Sequence, residues 1–392
     1  MNTRAERINL AFAHKVPDRT PLFEIFQPFQ PIHWNICGKN VATHQALCWD
    51  AMSDGISWEE LVDESAKAQF AICKFFGLDM VRLTGALAAP DYVRPVKTGA
   101  ASWSLNGTDY VENPRTRMVE YADPADAMSY SNRVTEEDMI RQIESWDGFA
   151  AEVNVNSFAV YDKVRMLADR EGIDWVYMGE IGAGTGVAFY PPFMLMWMLT
   201  EPELYSRWLE MKKVSAFKQT KAMLARGFKV IALGGDVSCD KGPFISPQLY
   251  REFILPVIRE HVELVHKNGG LAVYTSDGNH WDIKDDFFFN SNIDGYKEVD
   301  KAAGMTMGKL IEADIDRIVC IIGNIDARHI LCHGTKNEVR HEVMQCLKLG
   351  QQSPGGHILH ASHSVHEDVI PENYYTVVNT YREFYDLETL QY

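Results

Sequence analysis

Residues 228–279 read FKVIALGGDVSCDKGPFISPQLYREFILPVIREHVELVHKNGGLAVYTSDGN. Two apolar runs stand toward its ends, with a helix-period stretch between them. The first run, 230–233, breaks at Gly234-Gly235 and delivers Asp236. The second, 271–274, delivers Thr275, Ser276, Asp277 and Asn279. Short apolar runs bounded by glycine read as strands. Ser246-Pro247 reads as a helix start, a hydroxyl N-cap followed by proline in the first turn. Strand, helix and strand together predict a parallel βαβ unit. In such units, polar groups just past the carboxyl ends of neighbouring strands are where chemistry sits. Asp236 and Asp277 therefore read as members of one site.

The same pattern recurs outward. Strands are predicted at 21–26, 79–84, 175–181, 229–234, 271–275, 295–299, 319–323 and 357–361. Helix-period segments lie at 57–76, 192–199, 201–225, 247–266, 307–312, 336–349 and 371–385. Thr335 with Glu338 predicts a capping box. The alternation points to the α/β class and a single (β/α)8 TIM-type barrel, taken as one domain over 1–392. Residues 91–122 break the rhythm. They read as hairpins around an Asn106-Gly107 turn, a β-hairpin insertion after strand two able to fold over one end of the barrel. Gly182-Ala183-Gly184-Thr185-Gly186 lacks the dinucleotide-binding spacing and no P-loop lysine follows, so it reads as close packing at the barrel mouth.

Composition removes several function classes. A net charge of -16 leaves no basic footprint for nucleic acid. No apolar run approaches the roughly 20 residues of a bilayer span. The N-terminus shows no signal-peptide core. A cytoplasmic protein without a membrane partner is expected. The 7 cysteines are odd in number and irregularly spaced, with no Cys-x-x-Cys, which suits reduced thiols.

A set of ordered motifs carries a resemblance. It comprises Gly235-Asp236, Gly242-Pro243-Phe244-Ile245-Ser246-Pro247, Tyr250-Arg251-Glu252-Phe253 and Asp277-Gly278-Asn279. Gly323-Asn324-Ile325-Asp326, Gly334-Thr335, Gly355-Gly356-His357-Ile358-Leu359, His363 and Pro371-Glu372-Asn373 follow. Over roughly 170–385 the chain resembles the uroporphyrinogen decarboxylase superfamily. The resemblance implies a (β/α)8 barrel and one of two activities, porphyrinogen decarboxylation or methyl transfer involving a corrinoid. The decarboxylases carry an arginine-rich N-terminal loop for a substrate with many carboxylates. Here the stretch from Phe23 to Trp34 holds no arginine and several aromatic residues. Charge matching then disfavours the porphyrinogen reading. Zinc methyltransferases of the family use a His-x-Cys pair and a C-terminal Cys. At those places this chain has Thr275-Ser276-Asp277 and His363.

The leading expectation is a corrinoid-dependent methyltransferase acting on a small methoxylated, aromatic donor. The corrinoid (cobalamin) would be carried by a partner protein. Asp236, Asp277 and His363 would stabilise the leaving oxygen, either as an acid/base set or by holding a zinc ion through hard ligands. Glu180, Tyr274 and Asn279 would line the pocket, and Phe23, Phe26, Phe29 and Trp34 would hold the ring. Other roles stay open: Asp236 as a loop cap, Asp277 in a turn only, Asp326 ordering its own loop, and Glu180 paired with Arg82. The alternative reaction is decarboxylation of a small aromatic or heterocyclic acid, with Arg82 as its anion-binding residue.

Overall fold

Eight short parallel strands form one sheet in the order in which the chain meets them. They are β1 (Phe23–Glu24), β2 (Met80–Val81), β7 (Val176–Glu180), β8 (Val230–Gly234), β11 (Leu271–Thr275), β12 (Gly295–Lys297), β13 (Cys320–Ile322) and β14 (His357–Ile358). Hydrogen bonds from the Phe23 amide to the Leu359 carbonyl and from the Leu359 amide to the Pro21 carbonyl join the last strand to the first. The sheet is thus a barrel, and each strand falls within one of the eight predicted runs. A computed structural model describes residues 1–126, 134–181, 191–354 and 356–391. The glycine-rich run beginning at Gly182 lies outside the described residues.

Side-chain alternation divides the core into two layers. Phe23, Met80, Val176, Met178, Val230, Ala232, Val273, Ile322 and Ile358 fill the barrel interior, which Ile8, Ala11 and Phe12 of the N-terminal helix (Arg4–Phe12) close from below. Ile231, Leu233, Tyr274, Tyr296 and Ile321 face outward against the helices. Inward residues repeat every second position. The same phase carried past the strand ends sends Arg82, Glu180, Asp236 and Asp277 toward the barrel axis.

Local chemistry explains the helix boundaries. Ser57 with Glu60, and Thr335 with Glu338, close full capping boxes at the starts of Trp58–Phe76 and Lys336–Gly350. The Ser246 hydroxyl accepts from the Leu249 amide, as its Ser-Pro sequence predicts. Between β8 and β11, β9 (Ser238–Cys239) and β10 (Gly242–Pro243) pair as a small hairpin, and between β2 and β7 the chain builds an antiparallel sheet of β3 (Val96–Gly99), β4 (Ser102–Leu105), β5 (Thr108–Glu112) and β6 (Val119–Tyr121). In the four-stranded sheet, Asn106 and Gly107 both adopt positive φ in the tight turn. Arg115 of this sheet pairs with Asp368 in the segment after β14, so the insertion lies against the mouth of the barrel.

Candidate active site

The ends of β8 and β11 are held at fixed distance by a buried polar lock. Ser276 accepts from the Val237 amide at 3.2 Å. The His280 ring bridges the Ser238 hydroxyl at 2.7 Å and the Ser276 carbonyl at 3.1 Å. Gly278 sits at φ +84, where an added Cβ would meet the Ser238 and Cys239 backbone at 2.9 Å. Only glycine permits that approach of the two loops. Asp236 and Asp277 are thereby presented together. Among the described residues, neither carboxylate is engaged by a hydrogen bond, so neither is used up as a loop cap.

Around these two carboxylates the rim is rich in charge. Burial pushes the Asp236 carboxyl above its usual range, and Glu298 adds to the effect, while His363 and Lys297 oppose it. Burial likewise drives Asp277 up, to about 6, helped by the charges of Asp236, Glu298 and Asp300 and opposed by His363. His363 is exposed and lines, with Asp277, Asp300, Arg328 and Ser362, a cleft of about 580 Å³ at the barrel mouth. The three residues proposed as the catalytic set therefore share one electrostatic environment.

Sequence reasoning missed the layer beneath them. Lys297, at the end of β12, is fully buried and pairs with Glu298 at 2.7 Å. Glu298 itself sits at φ +67. Although burial works against ionisation, Lys297, then His363 and His360, hold Glu298 below the usual carboxylate range. Arg328 reaches Asp240 at 3.0 Å and Asp300 at 3.5 Å, tying the loops after β8, β12 and β13 together. A lysine and a glutamate inside an otherwise apolar strand, 295–299, were the available signal.

Other assignments move. Tyr274 does not line the site: it is on the outward phase of β11, packs on Phe287, and donates to the Gly235 carbonyl at 3.2 Å. Asn279 caps a turn, its side-chain oxygen accepting from the Trp281 amide. Glu180 pairs with Arg82 at 2.8 Å, the competing reading of that residue. Asp326 accepts from the His329 amide and orders its own loop. Phe23 is barrel interior, and Phe29 packs in a separate small cluster with Cys48 and Leu61. Trp34 stacks on His44 and donates to the Thr43 carbonyl. Phe26 stacks on Phe76 and meets the Tyr374 ring edge-on.

Among the described residues no group of three or more His, Cys, Asp or Glu side chains is arranged to hold a metal ion. Asp236, Asp277 and His363 thus interact through space without forming a ligand set. Among those residues, too, no helix is long and apolar enough to cross a membrane.

Comparison with known proteins places this geometry. A search of curated proteins gave no match. Among solved structures, a methyltransferase from Methanosarcina mazei superposes with a TM-score of 0.65 at 16% identity, over 98% of this chain and 100% of that one. Much weaker likenesses, at TM-scores of 0.35 and 0.31, are to a xylose isomerase-like TIM barrel protein from Mycobacterium smegmatis (11% identity, 67% of this chain, 90% of that one) and a dihydropteroate synthase from Anaplasma phagocytophilum (12%, 53% and 75%). At such identities these likenesses concern fold alone. The family model for uroporphyrinogen decarboxylase matches residues 120–384. That span is well over half the chain and contains the strand ends bearing Asp236, Asp277 and His363, and this chain belongs to the uroporphyrinogen decarboxylase family.

Proposed function

We propose that this member of the family is a corrinoid-dependent methyltransferase. It would demethylate a small methoxylated, aromatic substrate, the methyl group passing to a Co(I) corrinoid on a separate protein. The observation that carries this reading is the carboxylate cluster at the mouth, with Asp277 raised to about 6 beside Asp236 and His363. The fold-level likeness to a methyltransferase adds to it.

The Co(I) corrinoid supplies the nucleophile for the methyl carbon. The methyl–oxygen bond breaks, its electron pair stays on oxygen, and the phenolate needs a proton to leave well. A carboxylic acid titrating near pH 6 keeps its proton closer to neutrality than an ordinary aspartate. Transfer to a phenolate, whose conjugate acid titrates near 10, is downhill. Asp277 is assigned that donation. The charges of Asp236 and Glu298 hold the proton on Asp277, and exposed His363 restores it from solvent. Arg328, His333 and His366 along the cleft offer donors to the amide-fringed edge of a corrin, and the mouth is the face where a carrier protein would dock. Zinc at Asp236, Asp277 and His363 has no ligand grouping among the described residues to support it.

Decarboxylation finds less support. Its anion-binding candidate, Arg82, is engaged by Glu180. The test is purified chain with a reduced corrinoid carrier and a panel of methoxyarenes. Phenol release that disappears in Asp277→Asn is expected. No phenol from any donor, or carbon dioxide from an aromatic acid, would contradict the reading.

A further inference from the structure

Four side chains that hydrogen-bond to neither carboxylate hold the backbone around Asp236 and Asp277. Tyr274 donates to the Gly235 carbonyl at 3.2 Å, and the Ser276 hydroxyl accepts from the Val237 amide at 3.2 Å, so Asp236 is held before and after. The Ser276 hydroxyl donates in turn to the Asp277 carbonyl at 3.2 Å. His280 places Nε2 at 3.1 Å from the Ser276 carbonyl and Nδ1 at 2.7 Å from the Ser238 hydroxyl. Ser238, Tyr274, Ser276 and His280 are each 1% exposed or less.

Each bond has one direction. A carbonyl only accepts, so His280 carries its proton on Nε2 and accepts at Nδ1 from the Ser238 hydroxyl. Burial lowers the His280 pKa to about 4, which keeps the ring in that neutral form around neutrality. Phe287 stacks on the ring and Tyr296 meets it edge-on, fixing its plane. The one Ser276 hydroxyl is spent twice, as acceptor to the Asp236 loop and as donor to the Asp277 loop. Buried polar groups cost free energy unless they are paired, and here the pairing is directed at the backbone beside two carboxylates that are themselves left open.

We propose that Ser276 and His280 are positioning residues, which set the separation of the Asp236 and Asp277 side chains without meeting substrate. Neither lines the cleft. Burial raises the Asp277 carboxyl most, and the Asp236 charge comes next. Repulsion between two carboxylates depends on their separation, so the lock fixes how firmly Asp236 keeps the proton on Asp277. The other groups whose charge couples to Asp277 are Tyr296 on β12, Glu298 and Asp300 after it, Arg328 after β13 and His363 after β14. Lys297 acts on Asp236 from the end of β12. The inference rests on the reading of Asp277 as proton donor and deepens it.

The test is a ¹³C NMR titration of the Asp277 side-chain carboxyl in the full chain, without any corrinoid protein. The unaltered chain should titrate at about 6, and Ser276→Ala and His280→Phe should both move the midpoint toward the ordinary 3.8. His280→Gln, whose amide can still donate to the Ser276 carbonyl, should restore most of the difference. Asp236→Asn should lower the midpoint in the unaltered chain and much less in the Ser276→Ala background, a coupling that a merely structural serine would leave intact. The ¹⁵N spectrum of His280 in the unaltered chain should show one tautomer, with its proton on Nε2, a readout independent of how the variants fold. Midpoints that stay at about 6 in both lock variants, an undiminished effect of Asp236→Asn, or a His280 ring exchanging between tautomers would each overturn the proposal. Midpoints that move as expected without demethylation of any methoxyarene would instead count against the proposed reaction and leave the positioning role standing.

Discussion

The two sides of the barrel rim are built on opposite electrostatic principles. At the ends of β2 and β7, charges are matched: Arg82 meets Glu180. At the ends of β8, β11 and β12, acid outweighs base. Asp236, Asp277, Glu298 and Asp300 face Lys297, His363 and the shared Arg328. A matched pair costs little to keep and does little chemistry. An unmatched, half-buried cluster costs stability, and such clusters are where folds keep reactive protons. We infer that the unmatched side reacts and that the matched side only holds the donor.

The largest effect expected from this division is catalytic. Asp277→Asn should lower kcat by about 10²- to 10⁴-fold, the range of a general acid. A drop below tenfold in turnover assays would break the comparison at its centre.

Next comes the buried pair beneath the cluster. Lys297→Met leaves Glu298 without its counter-charge and should cost about 3–5 kcal/mol. Adding Glu298→Gln should restore most of that loss, as read by urea unfolding. No recovery in the double variant would mean that Lys297 acts through packing.

The binding side should respond more gently. Arg82 and Glu180 are each about a quarter exposed, at 23% and 28%. Arg82→Leu should therefore cost no more than about 1 kcal/mol of stability. It should raise KM for the donor while kcat stays nearly constant. A collapse of kcat instead would place chemistry on this side as well.

The smallest effect is a pH-dependent one, and its sign is fixed. The Asp277 carboxyl titrates at about 6 in the fold against an ordinary 3.8, so the native state holds the proton more tightly. Stability from this group falls as pH rises from about 3.8 to about 6. Asp277→Asn should thus be more stable than the parent above pH 6, with the gain fading toward pH 4. Melting curves across that range check it. On the proposed mechanism, which uses the acid form of Asp277, kcat/KM should fall as pH rises through about 6.

Much of the barrel could be read from the chain. Runs such as 230–233 and 319–323 are apolar, short and closed by glycine, and a strand buried on both faces leaves that trace. The candidate site was legible where a polar residue closes such a run within a few positions, as Asp236 and Asp277 do. It was not legible where side-chain phase decides. Tyr274 adjoins the site in sequence but points outward, because strand neighbours face opposite ways. Phe23 and Phe26 are three residues apart, yet one fills the barrel and the other packs on Phe76 and Tyr374. Lys297 and Glu298 escaped notice because β12 spans only three residues and the chain turns to positive φ at Glu298, which ends any strand pattern.

The most direct test of the central claim follows the oxygen. A methoxyarene carrying ¹⁸O in its methoxy group is turned over by the chain with a Co(I) corrinoid carrier, and the product is weighed by mass spectrometry. Cleavage between methyl carbon and oxygen, with protonation by Asp277, predicts phenol that keeps all of the label, formed in step with methylation of the carrier. Phenol that has lost the label, or a methoxyarene left intact while the carrier stays unmethylated, would contradict the account.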